Sequence, residues 1–522
     1  MKQIGIALLS APLLALAQSP WSLAPVALIA LVPWLGASKL AGAGRALALG
    51  ALVGTLYGCL VALWIPEALR SLGSLGLSPL LGLVAAAAWA KLPLFAGVGL
   101  IAWRLRDQPP AVQVFGVALV FGLGEWAIGA TRLGVPWALA GHSQLAVPGV
   151  AQLAATGGVP LLSAWLVAIN AAIALALSQS SSARRLAISL VGGWLATAWL
   201  GLPLAERLRP VGAEGAGAAL LIVQPEIPRA ARWDSHAQPW ILERVASRTS
   251  AALAGEALRS DAIVWPENLL TSPPESDPEL ARALQAHVDA WGVPLITGLV
   301  RAPKGRIPHA YRSSVVWILP GRGVVAALDK FRAVPLLESS RAEDGSSWLA
   351  PFFGRAARWP KVQEDPSPGS SLTAGFTITP ALCYEVLFPQ VVARRWSPES
   401  LAILSLADDS WVRGKMATRQ LADFAAFRAI EQRLTLVRVA HGGLSEVVDP
   451  FGRTQLELPL DQWAHARVTV RASAPPGLAE QAALIALPLS TGSGVWWLLA
   501  VWARRTRGEA KRGTREPKET QP

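Results

Sequence analysis

Seven apolar stretches, each near the length of a bilayer crossing, follow one another before residue 205, at 4–18, 21–36, 46–65, 77–102, 111–130, 157–178 and 186–204. An eighth lies at 481–503. A helix needs roughly 20 apolar residues to span the hydrocarbon core, so this pattern predicts a multi-span α-helical membrane domain rather than a soluble fold. The first two stretches are short. The third carries Gly50, Gly54 and Gly58 at four-residue spacing, which suits close helix packing in a bilayer. Composition agrees: of 522 residues, 52% are hydrophobic and 16% charged, against about 25% charged in soluble domains.

Between 205 and 480 the character changes. Most of the acidic residues lie after residue 204, which predicts one sizeable water-facing domain between the seventh span and the last. The expected organisation is a membrane domain over 1–204, a polar domain over 205–480, a final helix over 481–503 and a basic tail over 504–522.

The net charge of +12 does not mark a nucleic-acid protein. Such proteins gather basic residues on one folded face with aromatics between them. Here Lys2, Lys39, Arg45, Arg104, Arg106, Arg184 and Arg185 flank apolar stretches, and Arg504, Arg505, Arg507, Lys511, Arg512, Arg515 and Lys518 fill the tail. Placing these segments in the cytoplasm leaves only Arg70 and Arg132 in the opposite loops, so 205–480 is expected outside the cytoplasm. Lys2, the apolar run and Ala15-Leu16-Ala17 also read as a cleavable signal peptide, with the rest of the topology unchanged.

Short β-rich runs recur in the polar domain at 219–224, 262–265, 293–300, 314–318, 376–382, 401–406, 435–440 and 466–470. Helical patterns near 237–256, 277–290 and 415–433 alternate with some of them, which predicts a layered α/β fold. The stretch 339–375, rich in Ser, Gly and Pro, is expected to be a long loop. Within it Trp348-Leu349-Ala350-Pro351-Phe352-Phe353 has the aromatic character of a segment that dips into the membrane interface.

Three residues stand just beyond β-like runs: Glu267 after Ala262-Ile263-Val264-Trp265-Pro266, Lys330 after Ala327-Leu328-Asp329, and Cys383 after Pro380-Ala381-Leu382. Strand ends of α/β sheets open into crevices where ligands bind. A cysteine there can act as a nucleophile, a carboxylate as the general base, and a lysine ammonium as the partner of an oxyanion. Together they cover acyl transfer. Each alone is more often a solvated charge or a core filler, and residue type leaves both readings open. Cys59 lies in an apolar span and Cys383 in the polar domain, which argues against a disulfide. Six histidines and two cysteines are scattered without metal-ligand spacing, and no phosphate-cradling Gly-Lys-Ser/Thr loop occurs, so neither metal nor cofactor is expected. His142 and His441 read as structural histidines.

In these contexts the sequence resembles the nitrilase, or carbon-nitrogen hydrolase, superfamily, whose members use Glu, Lys and Cys in this chain order. That resemblance implies an αββα sandwich. Glu125-Trp126, Gly134-Val135-Pro136-Trp137 and Gly141-His142-Ser143-Gln144 resemble stretches of the apolipoprotein N-acyltransferases. So do Val223-Gln224-Pro225-Glu226-Ile227-Pro228, Trp233-Asp234, Arg428-Ala429-Ile430-Glu431 and Asp449-Pro450-Phe451-Gly452. The resemblance covers nearly the whole chain. It implies a bacterial inner-membrane enzyme with its catalytic domain on the periplasmic side. Cys383 would take an acyl chain from a phospholipid as a thioester, then pass it to the α-amino group of a diacylated apolipoprotein. Glu267 would serve as base and Lys330 as oxyanion partner. Glu338, Tyr384 and Glu385 fall at supporting positions of the family pattern, with Glu385 either catalytic or orienting.

The chain departs from that pattern at Leu336-Leu337, at Ala407-Asp408-Asp409-Ser410-Trp411-Val412, at His142 and at Ala440-His441-Gly442-Gly443. These lie around the expected pocket and bear on donor and acceptor preference. Two other readings stay open at this level. One is a membrane-anchored amidase, with water replacing the amine. The other is a silent transport or assembly scaffold, kept alive by the intramembrane charges Lys91 and Glu125.

Overall fold

The computed structural model describes residues 2–71, 76–131, 134–178, 181–208, 217–255, 259–302, 312–334, 372–373, 375–412, 414–473 and 475–490. Among the described residues, five helices are long and apolar enough to cross a membrane: Ala43–Val61, Ser78–Arg104, Pro110–Ala130, Ala154–Ala176 and Ser181–Leu208. They match the third to seventh expected spans.

The first two expected spans are broken instead of continuous. Lys2–Leu8 gives way to Ser10–Ala17, and a 3-10 turn over Ala24–Leu28 precedes the helix Val32–Leu40. Polar side chains accept the backbone groups that such breaks release. Ser10 Oγ accepts from Trp34 N at 3.0 Å, while Asn170 accepts from Leu31 N at 2.7 Å and donates to Ala27 O at 2.8 Å. Within a bilayer a freed amide must find such a partner in the protein. The helix Leu478–Ser490 begins the last expected span; the rest of that span and the basic tail lie outside the described residues.

The glycine spacing works as expected. Helix Ala43–Val61 lies so close to Ser78–Arg104 that a Cβ on Gly50 would stand 2.2 Å from Phe95 O, and one on Gly54 2.7 Å from Phe95 Cβ. Beside this pair runs a non-helical stretch, 134–139, with Ala138 at φ 46°. Its backbone is satisfied by buried side chains from the surrounding helices. Lys91 Nζ donates to Trp137 O (2.6 Å) and Ala138 O (3.0 Å), Tyr57 Oη to Ala138 O (2.8 Å), and Gln18 Nε2 to Leu139 O (3.2 Å). Glu125 Oε1 accepts from Ala140 N at 2.9 Å. The intramembrane charges that kept a transport reading open are therefore bonded to backbone.

Among the described residues, the α/β unit has twelve strands in two six-stranded sheets. The first sheet is built from β1 (Gly217–Gln224), β2 (Ala262–Val264), β3 (Leu295–Arg301), β4 (Arg312–Leu319), β5 (Gly323–Asp329) and the late strand β12 (Ala464–Arg471), in the order β12-β1-β2-β3-β4-β5. The second holds β6 (Leu372–Thr373), β7 (Thr377–Leu382), β8 (Ser400–Asp408), β9 (Leu436–His441), β10 (Glu446–Val448) and β11 (Thr454–Glu457), in the order β11-β10-β9-β8-β7-β6. Each sheet has three parallel strands at its centre, β1-β2-β3 and β7-β8-β9, flanked by antiparallel ones.

The sheets face each other across Leu220, Ile222, Val264, Ile296 and Trp317 on one side and Leu382, Leu404, Leu406, Val437 and Val439 on the other. Helices Gln238–Ala254 and Pro278–Trp291 cover the outer face of the first sheet. Pro389–Arg395 and Lys415–Gln432 cover the second. This is the αββα sandwich. All eight β-rich runs are strands; β5, β6, β10 and β11 are additional to them.

The two parts share one core. Tyr384, Leu387, Phe388, Val391, Leu421 and Phe424 of the α/β unit pack with Trp34, Tyr57, Phe95, Phe121 and Trp137 of the helical bundle. A polar tie reinforces it: Trp137 Nε1 donates to Gln420 Oε1 at 3.0 Å, and Gln420 Nε2 donates to Ser19 O and Val61 O, each at 3.0 Å. The bundle thus sits against the turn and helix that follow β7 and against helix Lys415–Gln432, which follows β8.

Candidate active site

Glu267, Lys330 and Cys383 leave the carboxyl ends of β2, β5 and β7. β2 is short because Pro266 follows it, and the chain then turns through Asn268 at φ 53°. Gly298 of β3 makes room for that turn, since a Cβ there would lie 2.7 Å from Glu267 Cα. Lys330 is registered by its backbone N–H, which donates to Ser313 O at 2.8 Å. Cys383 opens the 3-10 turn Cys383–Leu387 with φ 45°, a conformation sparsely populated by non-glycine residues.

Glu267 and Lys330 form a buried ion pair, Nζ to Oε1 at 3.1 Å, with residue exposures of 1% and 0%. Ser313 Oγ donates to the same Oε1 at 2.8 Å. Taking two charges out of water costs several kcal/mol per ion unless pairing offsets it, and here the pair lies at a strand-end crevice. Cys383 is buried against Ala407 and Ala440, which end β8 and β9 in small side chains. Two of the sequence departures thus form an apolar wall beside the thiol.

The carboxylate of Glu385 joins the lysine segment to the cysteine turn. Its Oε1 accepts from Phe331 N (2.6 Å), Arg332 N (3.2 Å) and Arg395 Nη2 (3.0 Å); its Oε2 accepts from Leu382 N (2.9 Å) and Arg395 Nη1 (2.5 Å). A carboxylate has about four lone-pair sites, so its accepting capacity is fully used. Glu385 is a clamp between the residues after Lys330 and the residue before Cys383. Tyr384 is buried, its ring edge-on to Phe388 with centroids 5.2 Å apart. Glu338, Leu336 and the run Trp348 to Phe353 lie outside the described residues.

A second set of ion pairs braces the rim. Arg232 reaches from the first sheet's side to Asp408 at the end of β8, with Nη2 to Oδ1 at 2.8 Å and Nη1 to Oδ2 at 3.0 Å, while Nη1 also donates to Asn268 O at 2.8 Å. Burial opposes ionisation of Asp408, but Arg232 outweighs it and holds the carboxyl below its ordinary value. Asp409 pairs with Arg438 at 2.7 Å; burial nonetheless leaves its carboxyl raised.

Burial, then Arg232, pull the His441 ring down to about 3. It is neutral at physiological pH and its Nε2 bonds Ile227 O at 2.7 Å. His142 accepts from Leu139 N at 3.0 Å and stacks on Phe424 at 4.2 Å. Both rings are buried and bonded to the backbone.

Sequence reasoning did not find Ser313, Arg395 or Arg232. Ser313 is one of three polar residues, Arg312-Ser313-Ser314, that open β4, and Arg395 and Arg232 are ordinary surface-type residues until folding buries them.

Residues 10–172 match the family described as Apolipoprotein N-acyltransferase N-terminal domain, and residues 222–470 match Carbon-nitrogen hydrolase. A protein of Brucella melitensis named Apolipoprotein N-acyltransferase is 30% identical over 401 residues, covering 71% of this chain and 70% of that one. One of the same name from Pseudomonas syringae pv. tomato is 27% identical over 467 residues, covering 87% and 88%. Among solved structures, an amidase from Nesterenkonia sp. aligns at 18% identity over 52% of this chain and 98% of that one, with a TM-score of 0.37. The chain belongs to the apolipoprotein N-acyltransferase family.

Proposed function

We propose that the protein transfers a fatty acyl chain from a phospholipid to the N-terminal α-amino group of a diacylglyceryl-cysteine apolipoprotein, in two half-reactions through a Cys383 thioester. In the first, Glu267 takes the thiol proton and Sγ attacks the ester carbonyl carbon. Lys330 Nζ and a backbone N–H of the Cys383 turn hold the oxyanion. The ester C–O bond then breaks, and the lysophospholipid leaves with the proton that Glu267 returns. In the second, the lipoprotein amine attacks the thioester carbonyl and Glu267 takes its proton. The C–S bond breaks, an amide forms and the proton returns to Sγ. Tyr384 and Glu338 take supporting roles.

The observation that carries this reading is the buried Glu267–Lys330 pair tied, through Glu385, to the turn that presents Cys383. It supports the reading by linking the Glu267–Lys330 segment, through Glu385, to the turn that begins with Cys383. The acceptor follows from family membership, and the helical bundle beside the crevice fits substrates anchored in lipid. We assign residues 1–204 to the membrane domain, 205–480 to a catalytic domain on the periplasmic face of the inner membrane, and 481–503 to a final span before the cytoplasmic tail 504–522.

Intact mass spectrometry tests the first half-reaction. Wild-type protein incubated with phospholipid alone gains one hydroxylamine-labile acyl mass; Cys383→Ala gains none. Lys330→Met forms the adduct about 10²–10³-fold more slowly, the loss typical of one oxyanion donor. Folded wild-type protein that gains no acyl mass from several lipid donors would refute the thioester route.

A further inference from the structure

Ser313 holds both members of the buried ion pair. Its Oγ donates to Glu267 Oε1 at 2.8 Å, and its backbone O accepts from Lys330 N at 2.8 Å. The register of β4 brings this about. Side chains alternate across a strand, so Ser313 turns toward Glu267 while Ser314 turns to the other face and donates to Asp329 Oδ1 at 2.5 Å. Ser313 is buried and stands opposite Val300 of β3.

Two donors therefore meet at one oxygen of the base, Ser313 Oγ at 2.8 Å and Lys330 Nζ at 3.1 Å. A carboxylate oxygen has about two lone-pair sites, so Oε1 is filled and a proton taken from the thiol goes to Oε2. The other charged groups around the crevice are committed elsewhere. Arg232 bonds Asp408, Ser410 and Asn268 O; Arg395 bonds Glu385 and Pro380 O; Arg438 pairs with Asp409. His441 is neutral at physiological pH and bonds Ile227 O. Ser313 is thus an uncharged donor on the base, set beside a lysine with a second task. When Lys330 turns its ammonium to an oxyanion, Glu267 gives up one donor, and a buried acceptor left short is costly.

We propose that Ser313 is a positioning residue: it pins Glu267 Oε1 while Lys330 turns to the oxyanion, so that Oε2 stays ionised until it takes the thiol proton. The catalytic part of this role rests on the acyl-transfer reading, whereas the effect of Ser313 on the carboxyl does not. A hydrogen bond to a carboxylate favours its charged form. Ser313→Ala removes that bond. It is expected to move the acid limb of thioester formation to higher pH by about one unit, the worth of one hydrogen bond to a charged group.

The test measures acyl-enzyme formation by intact mass against pH and phospholipid concentration, in full-length protein. Above the acid limb Ser313→Ala acylates about tenfold more slowly, a fraction of the roughly 10²–10⁴-fold that a positioned base contributes. Its half-saturating lipid concentration stays that of wild type, because the lost bond serves the base and not the lipid. Ser313→Thr keeps the hydroxyl on a residue favoured in strands, and it restores both rate and limb. Ser314→Ala, whose hydroxyl serves Asp329, lowers the thermal midpoint and leaves the limb in place. Isotope-edited infrared titration of lipid-free protein, with Glu267→Gln as the reference, reads the same carboxyl with no acyl donor present. Its protonated band persists to about one pH unit higher in Ser313→Ala than in wild type. Wild-type protein that gains no acyl mass sinks the acyl-transfer reading, and the infrared titration then still decides what Ser313 does to Glu267. A limb and a titration unchanged in Ser313→Ala, or moved equally by Ser314→Ala, overturn the proposal.

Discussion

Arg395 grips Glu385 through both Nη atoms, at 2.5 and 3.0 Å, and neither side chain has any exposed surface. The pair therefore does more than balance charge. It fixes the carboxylate that ties Leu382, before the thiol, to Phe331 and Arg332, after the lysine.

Removing one member of such a buried pair strands the other, at about 3–5 kcal/mol. Arg395→Met lowers the unfolding midpoint and slows acyl-enzyme formation together. Arg395→Lys keeps the charge but not the forked geometry, and it is expected to fold and to react more slowly. A positioning role leaves the pH profile of acylation in Arg395→Lys the same shape as wild type. A missing limb in that profile would instead make Glu385 an acid–base group.

Glu446 supplies a pH-dependent load on stability. Burial raises its carboxyl to about 7, despite the pull of Arg438. An unfolded glutamate titrates near 4.3, so the folded chain binds the extra proton between those values. Stability is then fully present below the unfolded pKa and is lost as pH rises through about 7. Glu446→Gln cannot ionise. It is expected to raise the thermal midpoint relative to wild type at pH 8, by up to about 3 kcal/mol in stability, and to change it little at pH 4. Parallel midpoint-against-pH curves for the two proteins would show that Glu446 carries none of this dependence.

Gly50 sets the distance between two spanning helices. A methyl group there would meet Phe95 O at 2.2 Å, so Gly50→Ala must push the helices apart. Overpacking of this kind typically costs about 1–3 kcal/mol, more than the roughly 1 kcal/mol that alanine contributes to helix propensity. Gly36→Ala, in open space on helix Val32–Leu40, receives only the propensity gain. Thermal unfolding in detergent separates the two, with Gly50→Ala lower and Gly36→Ala equal or higher than wild type.

How much of this could be read from residues alone depends on the range of the interaction. Glu267, Lys330 and Cys383 were legible because each follows a compact apolar run, and a strand end is a local event. The five long spans were legible for the same reason. The stretch 21–36 read as one span, since Asn170, which bonds Ala27 and Leu31 at its break, stands far along the chain. Of β5 only the end, Ala327-Leu328-Asp329, read as β-like, because Val324 and Val325 are exposed at the sheet edge and the strand carries no clear alternation. The role of Glu385 was undecidable locally: its partners Phe331 and Arg395 stand 54 and 10 residues away.

The non-helical stretch beside Lys91 has a consequence for how the bundle is specified. Apolar contacts between helices in lipid are nearly as good after a helix has turned about its axis, because lipid tails and leucine side chains are alike to a neighbour. Carbonyls at Trp137, Ala138 and Leu139 are not so tolerant. Tyr57 and Lys91 come from two different helices and Gln18 caps the end of a third, Ser10–Ala17, so each reaches its carbonyl only at one rotation of the helix that carries it. These polar side chains index the bundle like pins in a lock, while outward residues such as Leu119 and Leu123 are left open to apolar exchange. Because Trp137 also holds Gln420, the same indexing carries through to the helix behind the cysteine turn.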